Sequence, residues 1–229
     1  MTVVVVTGVG TEIGKTHTTA TLALAWGQGA SVLAYKPIES GVIEGVGPDE
    51  ALLASFSTFH VKRPLLQLRL RAAVSPHLAA RMERNPLDLQ AVVDEVAWLR
   101  RETDVLVELP GGLFSPLSDT EANADLAVRL TPDAALLVAP NRLGVLHDVR
   151  AAFEAARGRG LRLDGVVLSA SAEPDLSSAT NAAELVVTSG LPLLADLPRA
   201  SITELAASAQ VVRLVGHLRC ATGKAPARQ

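Results

Sequence analysis

Short runs of apolar, often β-branched residues alternate along this chain with longer segments in which apolar positions recur every three or four residues. The runs at 3–7, 31–35, 104–108, 134–139, 165–169 and 193–196 are mostly apolar, as strands covered on both faces should be. Between them, "NPLDLQAVVDEVAWLRRE" sets Leu89, Val92, Val93, Val96 and Leu99 at helical spacing, with Asn85 as the expected cap and Pro86 at the first helical position. Weaker periodicity predicts helices over 16–27, 122–130, 146–158, 177–189 and 202–214. Strand and helix in strict alternation imply an α/β fold, a mostly parallel sheet with helices on both faces. The stretch 37–75 breaks the rhythm with Pro37, Gly41, Gly45, Gly47, Pro48 and Pro64, and reads as a long irregular excursion near a site. In such sheets ligands bind beyond the carboxyl ends of the strands, so the residues after each run matter most.

Composition narrows this picture. With 229 residues the chain suits one domain, expected over 1–220, and "ATGKAPARQ" reads as a disordered tail at 221–229. Aromatic residues are only 3% while hydrophobic ones reach 48%, so Ala, Val and Leu must fill the core. A net charge of −3 offers no basic excess for a nucleic acid or a membrane surface, and no apolar run approaches the ~20 residues that cross a bilayer. The lone Cys220 cannot form an internal disulfide and no secretory leader pattern opens the chain, so a cytoplasmic protein is expected. The histidines at 17, 60, 77, 147 and 217 show no zinc-ligand spacing, no GxSxG nucleophile elbow occurs, and Ser115 and Ser118 read as turn residues.

The chemistry-bearing stretch comes first. In "VVVVTGVGTEIGKTHTT" four valines run into a loop from Gly8 to Gly14, then Lys15, Thr16 and a helical segment. Glycines let successive backbone N–H groups turn inward, and the helix sets its positive end against the same anion: this is a phosphate loop. Lys15 adds a positive charge and Thr16 a hydroxyl for a magnesium ion on the phosphates. The usual pattern has four residues between its glycines, whereas Gly8 and Gly14 enclose five. Only four lysines occur, at 15, 36, 62 and 224, and Lys36 closes the second run in "AYKPIESG" at the ligand edge. Asp49 can be a helix cap or a metal ligand. Glu108 ends the third run before Pro110-Gly111-Gly112, where an ionised carboxylate needs a partner, either a magnesium ion shared with Thr16 or an arginine.

Taken together these motifs resemble dethiobiotin synthetases, a family of biotin biosynthesis with a P-loop NTPase fold, over roughly residues 2–200. The family's loop also has five residues between its glycines. The resemblance carries Thr11, Lys15 and Thr16 over directly, gives Lys36 and Ser40 in "KPIESG", places the magnesium-binding aspartate on Asp49 and matches "SPHLAA" at 75–80. Its "EGAGG" segment appears as "ELPGG", keeping Glu108, Gly111 and Gly112. It implies an ATP- and Mg²⁺-dependent ring closure of 7,8-diaminononanoate with carbon dioxide. Lys36, Lys15, Thr11 and Ser40 would then be catalytic. Gly10, Thr11, Glu12, Ile13, Gly14, Lys15, Thr16, His17 and Glu108 would hold the nucleotide, and Thr16, Asp49 and Glu108 the metal. It also implies a homodimer in which a "GxxNH"-like segment holds the substrate's carboxylate tail. Here that stretch is "RLGVLHDV", with Gly144 kept but His147-Asp148 in place of Asn-His, and Ser169 stands where the family commonly reads adenine with asparagine. Two other readings stay open: ATP-dependent activation of a different organic substrate, and a nucleotide-dependent dimerising protein of the partitioning ATPase kind.

Overall fold

The computed structural model describes residues 1–221, so the expected tail lies, apart from Ala221, outside the described residues. Six strands form one parallel sheet: β1 (Val3–Gly8), β2 (Val32–Tyr35), β5 (Asp104–Glu108), β6 (Ala134–Asn141), β7 (Gly165–Ala170) and β8 (Leu193–Leu197). They lie in the order β2-β5-β1-β6-β7-β8. All six expected runs are strands. The four central ones, β5, β1, β6 and most of β7, are buried almost throughout, which explains why they read as continuous rather than alternating apolar segments. One core, including Val3, Val5, Val105 and Leu137, faces α4 (Leu89–Glu102), α5 (Asn123–Arg129), α6 (Val145–Gly158) and α7 (Asn181–Thr188). The other, including Val4, Val6, Trp26, Leu106 and Val138, faces α1 (Lys15–Gly27), α8 (Ile202–Ala206) and α9 (Ala209–Ala221).

The strand order reverses at β1: its neighbours β5 and β6 follow it in sequence by about a hundred residues or more, and β1 bonds both (Val6 to Glu108 and Leu136). The carboxyl end of β1 therefore opens at the switch point, where a crevice must form.

Several expected boundaries shift for local reasons. Asn85 and Pro86 do not open α4: the Asn85 N–H closes the preceding helix on Ala80 O (2.9 Å), and Asp88 caps α4 by accepting from the Ala91 N–H (2.9 Å). The helix expected at 177–189 splits into a 3-10 turn, Leu176–Ala179, capped by Asp175, and then α7. The one expected at 202–214 breaks after α8, where the Ser208 hydroxyl turns back to Leu205 O (2.6 Å) and competes with the helical ladder. The excursion at 37–75 is less irregular than expected. It holds β3 (Ile38–Ser40) and β4 (Leu68–Leu70), paired parallel in a second small sheet, with α2 (Pro48–Phe56) between them; α3 (Pro76–Met82) follows.

Candidate functional site

The phosphate loop spans β1 and α1 at the switch point. Gly14 is the N-cap of α1 with φ 88, a left-handed conformation that costs glycine little, and a Cβ there would run into Ser169 of β7. Glu12 also has positive φ (57), so the turn is held in a sparsely populated shape. Lys15 folds back to donate to Gly10 O (2.6 Å). Burial pushes its pKa down to about 8; Lys36 pushes the same way, while Glu108 and Asp49 oppose. Its ammonium is thus kept largely dry beside the loop.

Beneath the loop, two strand ends and the first turn of α2 bring charges together. Glu108, fully buried at the end of β5, accepts on Oε1 from the Thr16 hydroxyl (2.8 Å) and from Lys36 Nζ (2.9 Å). Lys36, immediately after β2, also donates to Asp49. Burial is the strongest single influence on Lys36 and would discharge it, but Glu108 and Asp49 together outweigh it and hold its pKa above the ordinary lysine value. The partner of Glu108 is therefore a lysine, not the arginine weighed from sequence. Pro110 does not dislodge this carboxylate, because the Leu109 N–H still bonds Val6 O (3.0 Å) and Leu109 packs fully into the core. The Glu108 Oε2 and Ser40 Oγ atoms are buried without a hydrogen-bond partner among the described residues.

Asp49 does not cap α2, as it could have done. Gly47 takes that place with Pro48 after it, and Asp49 lies in the first turn. The missing cap is Glu39: its two carboxylate oxygens accept the Asp49 and Glu50 N–H groups (3.0 and 3.1 Å). Sequence reasoning passed over Glu39. The signal was an acid inside "KPIESG" that the chain buries to 5% exposure, where only a donor pair at a helix start would justify it. Asn123, also passed over, lies fully buried at the first turn of α5 and donates to Pro110 O and Gly112 O (2.8 Å for the latter).

Clefts open on three sides of the loop. One of about 650 Å³ holds Lys15, Thr16, Lys36, Ser40, Asp49 and Glu108, together with Thr11 and Ser75. A second of about 670 Å³ begins at the same Thr11–Gly14 segment and runs past His17, Ser169, Arg142 and Leu197 to Ala200. His17 Nε2 lies 3.1 Å from Ala200 O and ties the start of α1 to that wall. A third, shallow groove of about 620 Å³ runs from Gly10 along Phe114 to His147 and Asp148 of α6. There Asp148 is paired with Arg142 (3.2 Å), which offsets its charge. The structure thus gathers the expected ligand-facing residues around one loop, with His147 and Asp148 at the far end of the third groove.

Comparison with known proteins bears on the family and the fold. A family model described as AAA domain matches residues 2–206. Among curated proteins, an ATP-dependent dethiobiotin synthetase BioD of Caulobacter sp. (strain K31) is 40% identical over 77% of this chain and 80% of its own length. That of Saccharopolyspora erythraea is 37% identical over 93% of this chain and 94% of its own. Among solved structures, a ParA family ATPase from Chlorobium tepidum TLS (TM-score 0.58, 14% identity, 96% of this chain and 98% of its own) has a similar fold. So does a MinC:MinD cell division complex from Aquifex aeolicus (0.57, 16%, 100% and 98%).

Proposed function

The chain belongs to the AAA domain family and to the ATP-dependent dethiobiotin synthetases, and on that premise we propose that it closes the ureido ring of dethiobiotin from 7,8-diaminononanoate, carbon dioxide and ATP. The observation that carries the reading is the ion-paired cluster of buried Lys36 and Glu108 with the half-buried Asp49 beneath a phosphate loop, with Lys15 and Thr16 at its edge. In the proposed reaction one substrate amine adds to carbon dioxide and loses a proton, giving a carbamate. A carbamate oxygen attacks the γ-phosphorus as ADP leaves; the second amine then attacks the carbonyl carbon of the mixed anhydride, expelling phosphate, losing a proton and closing the ring.

No protein nucleophile is needed, so the chain's contribution is charge and alignment. The backbone of Gly10, Glu12, Ile13 and Gly14 cradles the phosphates, with Lys15 offsetting charge on the departing ADP. Lys36 offsets the negative charge shared by carbamate and phosphoryl oxygens. Thr11 and Ser40 donate hydrogen bonds to those oxygens, and the buried, unpartnered Ser40 hydroxyl supports this role. His17 and Ser169 border the nucleoside, in the cleft that ends at Ala200. The groove beside His147 takes the carboxylate tail, with Arg142 neutralising Asp148.

A magnesium site fits this chain. Thr16, Asp49 and Glu108 are hard oxygen donors converging on one cleft, Lys36 already marks the place as one for a cation, and Glu108 Oε2 is a buried acceptor with no partner among the described residues. Two carboxylates and a hydroxyl suit an ion that completes its shell with phosphate oxygens and water. When bound, magnesium would supply further positive charge to offset the phosphates. The proposal extends to one domain over residues 1–220, a cytoplasmic enzyme and a homodimer; sedimentation equilibrium showing a monomer at assay concentration would remove the last part. No helix among the described residues is long and apolar enough to cross a membrane.

The test is incubation with ATP, Mg²⁺, bicarbonate and 7,8-diaminononanoate, following phosphate release and dethiobiotin by mass spectrometry. Diamine-dependent phosphate release with equimolar dethiobiotin is expected. ATP hydrolysis that ignores the diamine and yields no dethiobiotin would reject the reading.

A further inference from the structure

We propose that Asn123 is a positioning residue that sets the γ-phosphate end of the loop. The segment 109–113 leaves β5 and passes directly under the phosphate loop. The Leu113 N–H bonds Gly8 O (2.7 Å), and Gly112 lies so close that a Cβ there would sit 3.3 Å from both Gly10 Cα and Val9 C. Any shift of this segment therefore lifts or drops Val9 and Gly10. Two of its carbonyls, Pro110 O and Gly112 O, both accept from Asn123 Nδ2. The side chain is fully buried, and its own Oδ1 has no partner among the described residues. A half-satisfied buried amide is costly, so its retention points to the two bonds it makes. The same truss is tied from both ends: the Asn123 N–H bonds Ser115 O (3.1 Å), the Ala124 N–H bonds Leu113 O (2.8 Å), and the Gly112 N–H bonds the Ser115 hydroxyl (2.8 Å).

The truss touches only one end of the loop. At the other end Gly14 opens the ladder of α1, with the Thr18 N–H on Gly14 O (2.9 Å), and His17 is tied to the wall at Ala200; Thr16 is fixed by Glu108, and only Lys15 reaches back to the truss end, through Gly10 O (2.6 Å). Resting on the nucleotide orientation proposed above, Asn123 thus acts first on the terminal phosphate, reaches the diphosphate only through the Lys15 bond to Gly10 O, and leaves the nucleoside contacts alone.

The experiment measures Kd for ADP and for the non-hydrolysable analogue AMP-PNP, with Mg²⁺, alongside dethiobiotin formation, in the wild type, Asn123→Ala and Ser115→Ala. For Asn123→Ala, ADP affinity within about twofold of wild type is expected, with AMP-PNP affinity and kcat each down about tenfold or more. Ser115→Ala, at a half-buried residue that empties no core, should change in the same sense by a smaller factor, and decides the matter if Asn123→Ala does not fold. Unchanged AMP-PNP affinity, or ADP affinity lost in equal measure, would overturn the proposal. A wild type that binds nucleotide without making dethiobiotin sinks the synthetase reading alone; the two affinities still decide on Asn123.

Discussion

The two sides of the phosphate loop are built on opposite plans. On the Lys36 side, the charged groups are buried, Asp49 only partly, and each is fixed by another: Glu108 holds Thr16 and Lys36, Lys36 holds Asp49, and Glu39 fixes the start of the helix that carries Asp49. On the Ser169 side the wall consists of small side chains, prolines and the Ala200 carbonyl, with arginines at the rim. Charge in a dry site is costly to rearrange, so the first side tolerates little change. Backbone and small hydroxyls are easily replaced, so the second can drift in sequence while the first is kept. Of the departures from the family pattern, Ser169 and His147-Asp148 lie outside the charged cluster, whereas Leu109-Pro110 directly follows Glu108 and Pro110 lines the same cleft.

Substitutions should therefore divide by side. Lys36→Ala should lower turnover by about 10³-fold, because it removes the charge facing the reacting oxygens. Nucleotide binding should stay within a few-fold, since Lys15 and the loop amides remain; near-normal turnover would show that the two sides do not differ as described. Thr11→Val, at the loop's exposed crest where the clefts meet, should cost about tenfold in kcat, the worth of one hydrogen bond to a charged group. An unchanged kcat would remove Thr11 from the chemistry. Ser169→Ala should raise the KM for ATP by less than about threefold and leave kcat alone, since one neutral hydroxyl in an open wall contributes little. A large kcat effect would erase the contrast.

The smallest expected effect lies outside both sides. Burial works against the Asp125 charge, but the Ala122 N–H and the Arg159 guanidinium outweigh it and hold the carboxyl below the usual 3.8. A carboxylate with a depressed folded pKa adds stability at neutral pH that fades as the pH falls below its unfolded value and through the folded one. Asp125→Asn should thus cost about 0.5–1 kcal/mol at pH 7. The Tm gap from wild type should narrow below pH 4; a gap constant with pH would contradict the assignment.

The sheet was legible because strands covered on both faces leave continuous apolar runs, and the loop because glycine spacing and Lys15-Thr16 are local signals. Lys36, Asp49 and Glu108 were individually visible at or near strand ends. Their mutual pairing was not, since it depends on β2 and β5 being neighbours in a sheet whose order differs from sequence order. Glu39 and Asn123 escaped because each accepts from or donates to backbone that only the fold brings beside it. The short pair β3 and β4 escaped too: three-residue strands carry no periodicity, and their register follows from the Leu68 N–H on Pro37 O (2.8 Å). The breaks at Ala207-Ser208 and Thr180 depend on single hydroxyl and capping bonds that apolar periodicity cannot register.

The pairing of β1 with strands far along the chain also dictates when a site can exist during synthesis. The Thr2 N–H bonds the Asp104 carboxylate and the Val3 N–H that of Asp133, partners 102 and 130 positions away. The strand bearing the nucleotide loop leaves the ribosome before either of its partners and stays apolar and unpaired until β5, about a hundred residues on, has followed. Contacts of such span form slowly and leave an edge open to the wrong partner. Early translation thus yields a chain that has its phosphate motif but not the sheet that shapes it, a period in which a chaperone has more to offer than ATP.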